Sequence, residues 1–202
     1  MQALPRLVNA PWAFRLLLAL PAIVMLSRLA LSGGGLGHVL QASGEWAARL
    51  LIVTLAVTPI RMMFKGHRWP MWLLKRRRDL GLAAFLYALL HLAIYVVRQS
   101  NIHVILYDLQ YKEYLAGWLA LAIMLLLTLI SNDRLLHSLG LWWKRLQRAA
   151  YLAALAVFLH WVWMKLDDTP ALVHFVPLVL LEAWRLWYRF ARPGAHHRDG
   201  GP

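Results

Sequence analysis

Apolar residues run along this chain in long blocks, broken by short polar or basic stretches. A helix that crosses a bilayer needs about 20 mostly apolar residues. Six stretches meet that length approximately: Trp12–Leu31, Trp46–Met63, Leu80–Val97, Tyr114–Ile130, Ala149–Leu166 and Ala171–Phe190. A lipid-exposed segment must satisfy its backbone polar groups internally, so each block is expected to be a helix. The expected fold is all-α, a polytopic membrane bundle of six transmembrane helices. It forms a single domain over residues 1–192, with 193–202 as a disordered tail. Ala30-Leu31-Ser32 loosely resembles a signal-peptide cleavage site. Arg15 and Arg28 interrupt that first block, and five more blocks follow, which favours a retained helix. Gly33-Gly34-Gly35 and Gly37 mark the turn leaving it.

The polar connections set the orientation. Met62–Asp79 holds Lys65, Arg68, Lys75, Arg76, Arg77 and Arg78, and Ser131–Arg148 holds Arg134, Lys144, Arg145 and Arg148. The tail carries Arg189, Arg192 and Arg198. The alternate connections are nearly free of Lys and Arg: Ser32–Glu45 and Asp167–Pro170 have none, and Gln99–Glu113 has only Lys112. Positive loops stay inside, so both termini of a multi-pass membrane protein are expected in the cytoplasm.

Composition agrees. The 202 residues are 61% hydrophobic, with 11 Trp and a mean hydropathy of +0.54. A soluble domain so apolar lacks the polar residues to cover its surface. The net charge of +13 is gathered in the short connections, a pattern of cytoplasmic loops and not of a nucleic-acid groove, so lipid is the expected environment and no nucleic acid is expected as a partner. There is no Cys, which excludes disulfides, covalent Cys-x-x-Cys-His haem attachment and cysteine-held iron–sulfur clusters.

Two histidines stand inside the apolar blocks. His91 follows Arg78 by 13 residues and His160 follows Arg148 by 12. If both blocks cross in the same direction, the two imidazoles reach one level, in the outer half of the third and fifth helices. An ionisable residue within the membrane marks function by default. The bland alternative is that each imidazole hydrogen-bonds to a neighbouring helix and does nothing more. Depth matching favours coordination, with His91 and His160 as axial ligands of one haem iron. His38, His103 and His174 are expected at the outer surface, His67 and His137 in inner loops, and His196 and His197 in the tail.

Arg28, Arg49 and Arg98 lie near the outer helix ends, against the positive-inside trend. They either snorkel to headgroups or meet outward-pointing haem propionates. Arg49 is the preferred propionate partner, with Arg28 beside it. Glu182 and Arg185, three apart, are expected to pair. Pro59 is expected to end the second helix. Trp161 and Trp163 either pack on a haem face or anchor the outer interface.

In order along the chain come Gly34-Gly35-Leu36-Gly37, Gly44, Leu55-Ala56-Val57-Thr58-Pro59, Arg77-Arg78-Asp79-Leu80-Gly81-Leu82 and Leu90-His91. Trp143-Lys144-Arg145-Leu146, Tyr151-Leu152 and His160-Trp161 follow. This series resembles the MsrQ (YedZ) family, within the ferric-reductase-like transmembrane group, from about Leu18 to Arg189. The resemblance implies a haem-binding membrane subunit of the periplasmic protein-methionine-sulfoxide reductase system. Such a subunit passes electrons outward to a soluble molybdopterin reductase, MsrP, and is not itself the catalytic subunit. It also implies quinone or a cytoplasmic flavin reductase as donor, and FMN as a further cofactor; no flavin motif stands in the sequence. The family pattern has a second His thirteen positions before the one matching His160, and here that position is Gln147. An amide is a poor haem ligand, so one b-type haem is expected. The short cytoplasmic connections leave no room for a nucleotide-binding domain. Two other classes compete: a histidine-based metal-ion or small-solute transporter, and a scaffold protein that would be colourless when purified.

Overall fold

The computed structural model describes residues 10–32, 35–132, 138–164 and 168–191. Among them lie nine helices: α1 Pro11–Ser32, α2 Leu36–Met63, α3 Arg68–Lys75, α4 Arg77–Gln99, α5 Ile102–Asp108, α6 Lys112–Leu129, α7 Leu141–Leu146, α8 Ala149–Trp163 and α9 Asp168–Ala191. The expected tail, with His196 and His197, and also His137 and Gly33-Gly34, lie outside the described residues.

Five helices, α1, α2, α4, α6 and α9, are long and apolar enough to cross a membrane. The fifth expected block forms α8, whose 15 residues are fewer than a typical span. The first helical residue of α2 is Leu36, ten residues before the expected Trp46. Gln41, Ser43 and Glu45 mask this stretch in a hydropathy reading, yet Ser43 is fully buried.

The helices pack as two extensive antiparallel pairs, α2 with α4 and α6 with α8; α9 lies against α2 and α8, and α1 against α2 and α4. Lipid tails are as apolar as leucine, so helices gain nothing by hiding large side chains and instead approach closely through small ones. The interior is accordingly rich in alanine, with Ala48, Ala84, Ala153 and Ala154 buried, while Leu17, Leu31, Val97, Leu119, Leu152 and Leu180 are exposed.

Pro59 does not end α2. It is buried inside the helix, which runs four residues further to Met63. A proline within a membrane helix is tolerated where neighbours engage the loosened backbone. Near Pro59, Arg77 Nε donates to the Thr54 carbonyl at 3.1 Å and ties α2 to α4, while the carbonyl that the proline leaves without its helical donor is that of Leu55. At Pro21 in α1 a repair is made by the Tyr87 hydroxyl, which accepts from Ala22 N–H and donates to the Leu18 carbonyl, both at 2.9 Å. One hydroxyl thus fills the gap in α1 and ties that helix to α4. Arg15 and Asp79 add an ion pair at 2.9 Å between the same helices. Glu182 and Arg185 pair as expected, at 2.9 Å, and the Tyr151 hydroxyl bridges them, donating to Glu182 and accepting from Arg185. Gln147 sits between α7 and α8, far along the chain from His160 at the other end of α8.

Candidate functional site

Each of the two long helix pairs carries the same small construction. On α4, His91 Nδ1 lies 2.8 Å from the main-chain carbonyl of Leu40 on α2. On α8, His160 Nδ1 lies 2.7 Å from the carbonyl of Glu113 on α6. A carbonyl only accepts, so Nδ1 is the protonated nitrogen in both rings and Nε2 keeps its lone pair. In each case a glycine stands four residues after that carbonyl, where any side chain would strike the imidazole. A Cβ at Gly44 would lie 2.9 Å from His91 Nδ1, and one at Gly117 would lie 3.0 Å from His160 Nδ1. The helices approach at these points because the glycines are bare.

The tethered imidazoles meet across the bundle. Their ring centres are 6.3 Å apart and their planes cross at 85°. Both line one cavity of about 520 Å³ enclosed by α2, α4, α6 and α8. Its walls at one end are apolar, with Ala47, Ala88, Ala120, Leu121, Met124 and Val157. The other end carries Gln41, Glu45, Tyr95, Arg98 and Gln99.

This donor set fits a metal already held in a flat macrocycle. Among the described residues no group of three or more His, Cys, Asp and Glu is gathered that could hold a bare metal ion. Two imidazoles would supply two nitrogen donors and leave the rest of a metal's coordination to a macrocycle. A metal–nitrogen bond of about 2 Å on each side, plus about 1 Å from nitrogen to ring centre, spans about 6 Å between ring centres, in agreement with 6.3 Å. The hydrogen-bonded second nitrogen is the usual way a protein fixes the tautomer and orientation of a ligating histidine. His91 and His160 therefore have the identity, protonation and separation required of haem ligands.

The arginines are distributed differently from expectation. Arg49 does not line the cavity. Its guanidinium donates to Glu45 at 2.5 Å and to His174 Nε2 at 3.1 Å, and it lies over the Trp46 ring. His174 is half-buried, donating from Nδ1 to the Pro170 carbonyl and lying against Trp161, and so is not the surface residue anticipated. Arg28 is exposed on α1 and does not line the cavity either. Arg98 does, and among the described residues it is the only Lys or Arg that does so. Trp161 lines the cavity, whereas Trp163 lies under the Lys112 ammonium. Asp108 is buried at the polar end, accepting from the Tyr95 hydroxyl and from Gln99 Nε2. The two glycines and the two carbonyls went unread as site residues. Matching glycines, each on the helix preceding a histidine-bearing one, were the available signal.

Residues 43–168 match the family model described as ferric reductase like transmembrane component. The chain is similar to a protein of Rhizobium meliloti named protein-methionine-sulfoxide reductase heme-binding subunit MsrQ, with 33% identity over 192 residues, covering 91% of this chain and 87% of the relative. A protein of the same name from Brucella anthropi is 36% identical over 161 residues, covering 77% and 68% of the two chains. One from Brucella ovis is 36% identical over 155 residues, covering 74% and 66%. On the extent of these matches, this chain belongs to the MsrQ family of the ferric-reductase-like transmembrane group.

Proposed function

We propose that this chain is the haem-bearing membrane subunit of a methionine-sulfoxide reductase system. It holds one b-type haem between Nε2 of His91 and Nε2 of His160. It carries electrons across the bacterial inner membrane to a periplasmic molybdopterin reductase that repairs oxidised proteins. The observation that carries this reading is the pair of imidazoles, each tethered through Nδ1 to a carbonyl and set 6.3 Å apart in one cavity. The relatives' printed name, a heme-binding subunit of a protein-methionine-sulfoxide reductase, supports the same role.

When bound, the iron supplies a one-electron couple. The residues of the chain do the rest. The carbonyls of Leu40 and Glu113 hold the ligand rings in one tautomer. The apolar walls keep water from the macrocycle, and the bundle holds both ligands still as the charge of the site changes. In the topology proposed here, α8 joins the five longer helices to make six membrane spans and both termini are cytoplasmic. The clusters Arg76–Arg78 and Lys144–Arg145 then lie inside and the Gln99 end of the cavity faces the periplasm. Quinone or a cytoplasmic flavin reductase is the proposed donor, with FMN as an intermediate carrier.

Absorption spectroscopy of the detergent-purified protein tests the reading. The expected result is a Soret band that shifts on dithionite reduction, with the sharp visible bands of a six-coordinate low-spin haem. His91→Ala and His160→Ala should each lose that low-spin signature. Colourless wild-type protein, or an unchanged low-spin spectrum in either variant, would sink the proposal.

A further inference from the structure

We infer that Arg98 anchors the propionates of the porphyrin and so fixes which edge of the macrocycle faces the periplasm; this rests on the haem reading above. A b-type haem is an amphipathic disc, apolar round most of its rim with two carboxylates on one edge. The cavity has the same polarity, alanine and leucine walls at one end and amides, a tyrosine and a guanidinium at the other. A carboxylate inside a membrane protein needs a partner, and among the described residues Arg98 is the only Lys or Arg in the cavity wall.

Its position is dictated by the same helix register that places His91. Arg98 lies seven residues beyond His91, so it returns to nearly the same face of α4 about 10 Å further along. On α2, Gly37 lies seven residues before Gly44 and stands beside Arg98: a Cβ at Gly37 would be in ordinary contact with the guanidinium, at 3.7 Å, without the clash that one at Gly44 would make with His91. Other charges at this end are already matched. Glu45 accepts from Arg49 and Gln41, and Asp108 accepts from Tyr95 and Gln99. Among the described residues no carboxylate lies within ion-pair distance of Arg98. Arg98 is exposed, so its replacement removes a charge with little loss of buried packing.

The test uses full-length protein, made free of haem in a haem-deficient host, titrated in detergent with haem b and with its dimethyl ester. The ester keeps the iron and the ring but has no carboxylate. Wild-type protein should bind the diacid about tenfold more tightly than the ester, the worth of one charge-assisted contact. Arg98→Gln should bring the two affinities together by weakening the diacid alone, and Arg98→Lys should restore part of the preference. The midpoint potential of haem b should also fall in Arg98→Gln, because a cation near the propionates favours the reduced iron. Equal weakening of both forms, or an undiminished preference, would overturn the assignment. So would loss of the preference in Arg49→Gln and not in Arg98→Gln. If neither form yields a Soret band with wild-type protein, the haem reading itself fails, a result distinct from the failure of the anchor.

Discussion

The two histidine-bearing helix pairs share a ligand geometry and differ in almost everything else. In α2/α4 and in α6/α8 alike, an imidazole on the second helix reaches a carbonyl on the first, over a glycine one turn further on. The α2/α4 pair is also the core of the molecule: half of the apolar window of α2 is buried, against 11% for α6. Its register continues past the histidine in both directions, with Gly37 against Arg98 at one end and Gly81 against Thr54 at the other. The α6/α8 pair lies along the edge, with Leu115, Leu119, Leu152 and Leu155 exposed. A ligand geometry that survives in two such different settings is set by local main-chain contacts and does not depend on the surrounding core.

That comparison can be broken by experiment. The largest effect is expected from putting a methyl group into each contact. Gly44→Ala and Gly117→Ala each place a Cβ about 3 Å from an imidazole nitrogen. Haem affinity, measured by titration of apoprotein, should fall by about 10- to 100-fold in each, the range for disturbing the partner that orients a metal ligand. A loss at Gly44 with none at Gly117 would show that the pairs are not equivalent. An intermediate effect is spectroscopic. Axial ligation is one of the protein's levers on haem electronics, and rings crossed at 85° leave the iron orbitals that they address nearly equal in energy. The frozen ferric protein should therefore give a single low-field electron paramagnetic resonance feature. A three-line rhombic spectrum in the wild type would contradict the crossed arrangement. The smallest effect is expected where α4 meets α1, away from both histidines. Tyr87→Phe removes the hydroxyl that mends α1 at Pro21 and should cost about 1 kcal/mol. That would be read as a lower thermal midpoint in detergent, with the haem spectrum unchanged.

His91 and His160 were legible because an imidazole in an apolar block has few explanations, and because the basic clusters act as a ruler for depth. The helical class follows from the same blocks, whereas the inward-facing alanines were not read from them. Helix limits were harder: Gln41, Ser43 and Glu45 lower the hydropathy of α2, although the structure places them in the helix and turns Gln41 and Glu45 to the cavity. Depth is readable from a sequence, but direction around a helix is less so. Arg49 lies five residues from Gly44, about 140° round the axis, and so points away from the cavity, while Arg98 lies seven from His91, within about 20° of its face. Glycines are common in membrane helices, so Gly44 and Gly117 carried no signal alone. The carbonyls of Leu40 and Glu113 belong to the main chain, and no residue type announces them.

Those two carbonyls bear on the order of assembly. Because Leu40 and Glu113 hold the two imidazoles through contacts internal to the polypeptide, the rings take their attitude from helix association. In the proposed haem site, loading then freezes few side-chain rotamers, and a prearranged receptor keeps the binding energy that ordering would otherwise consume.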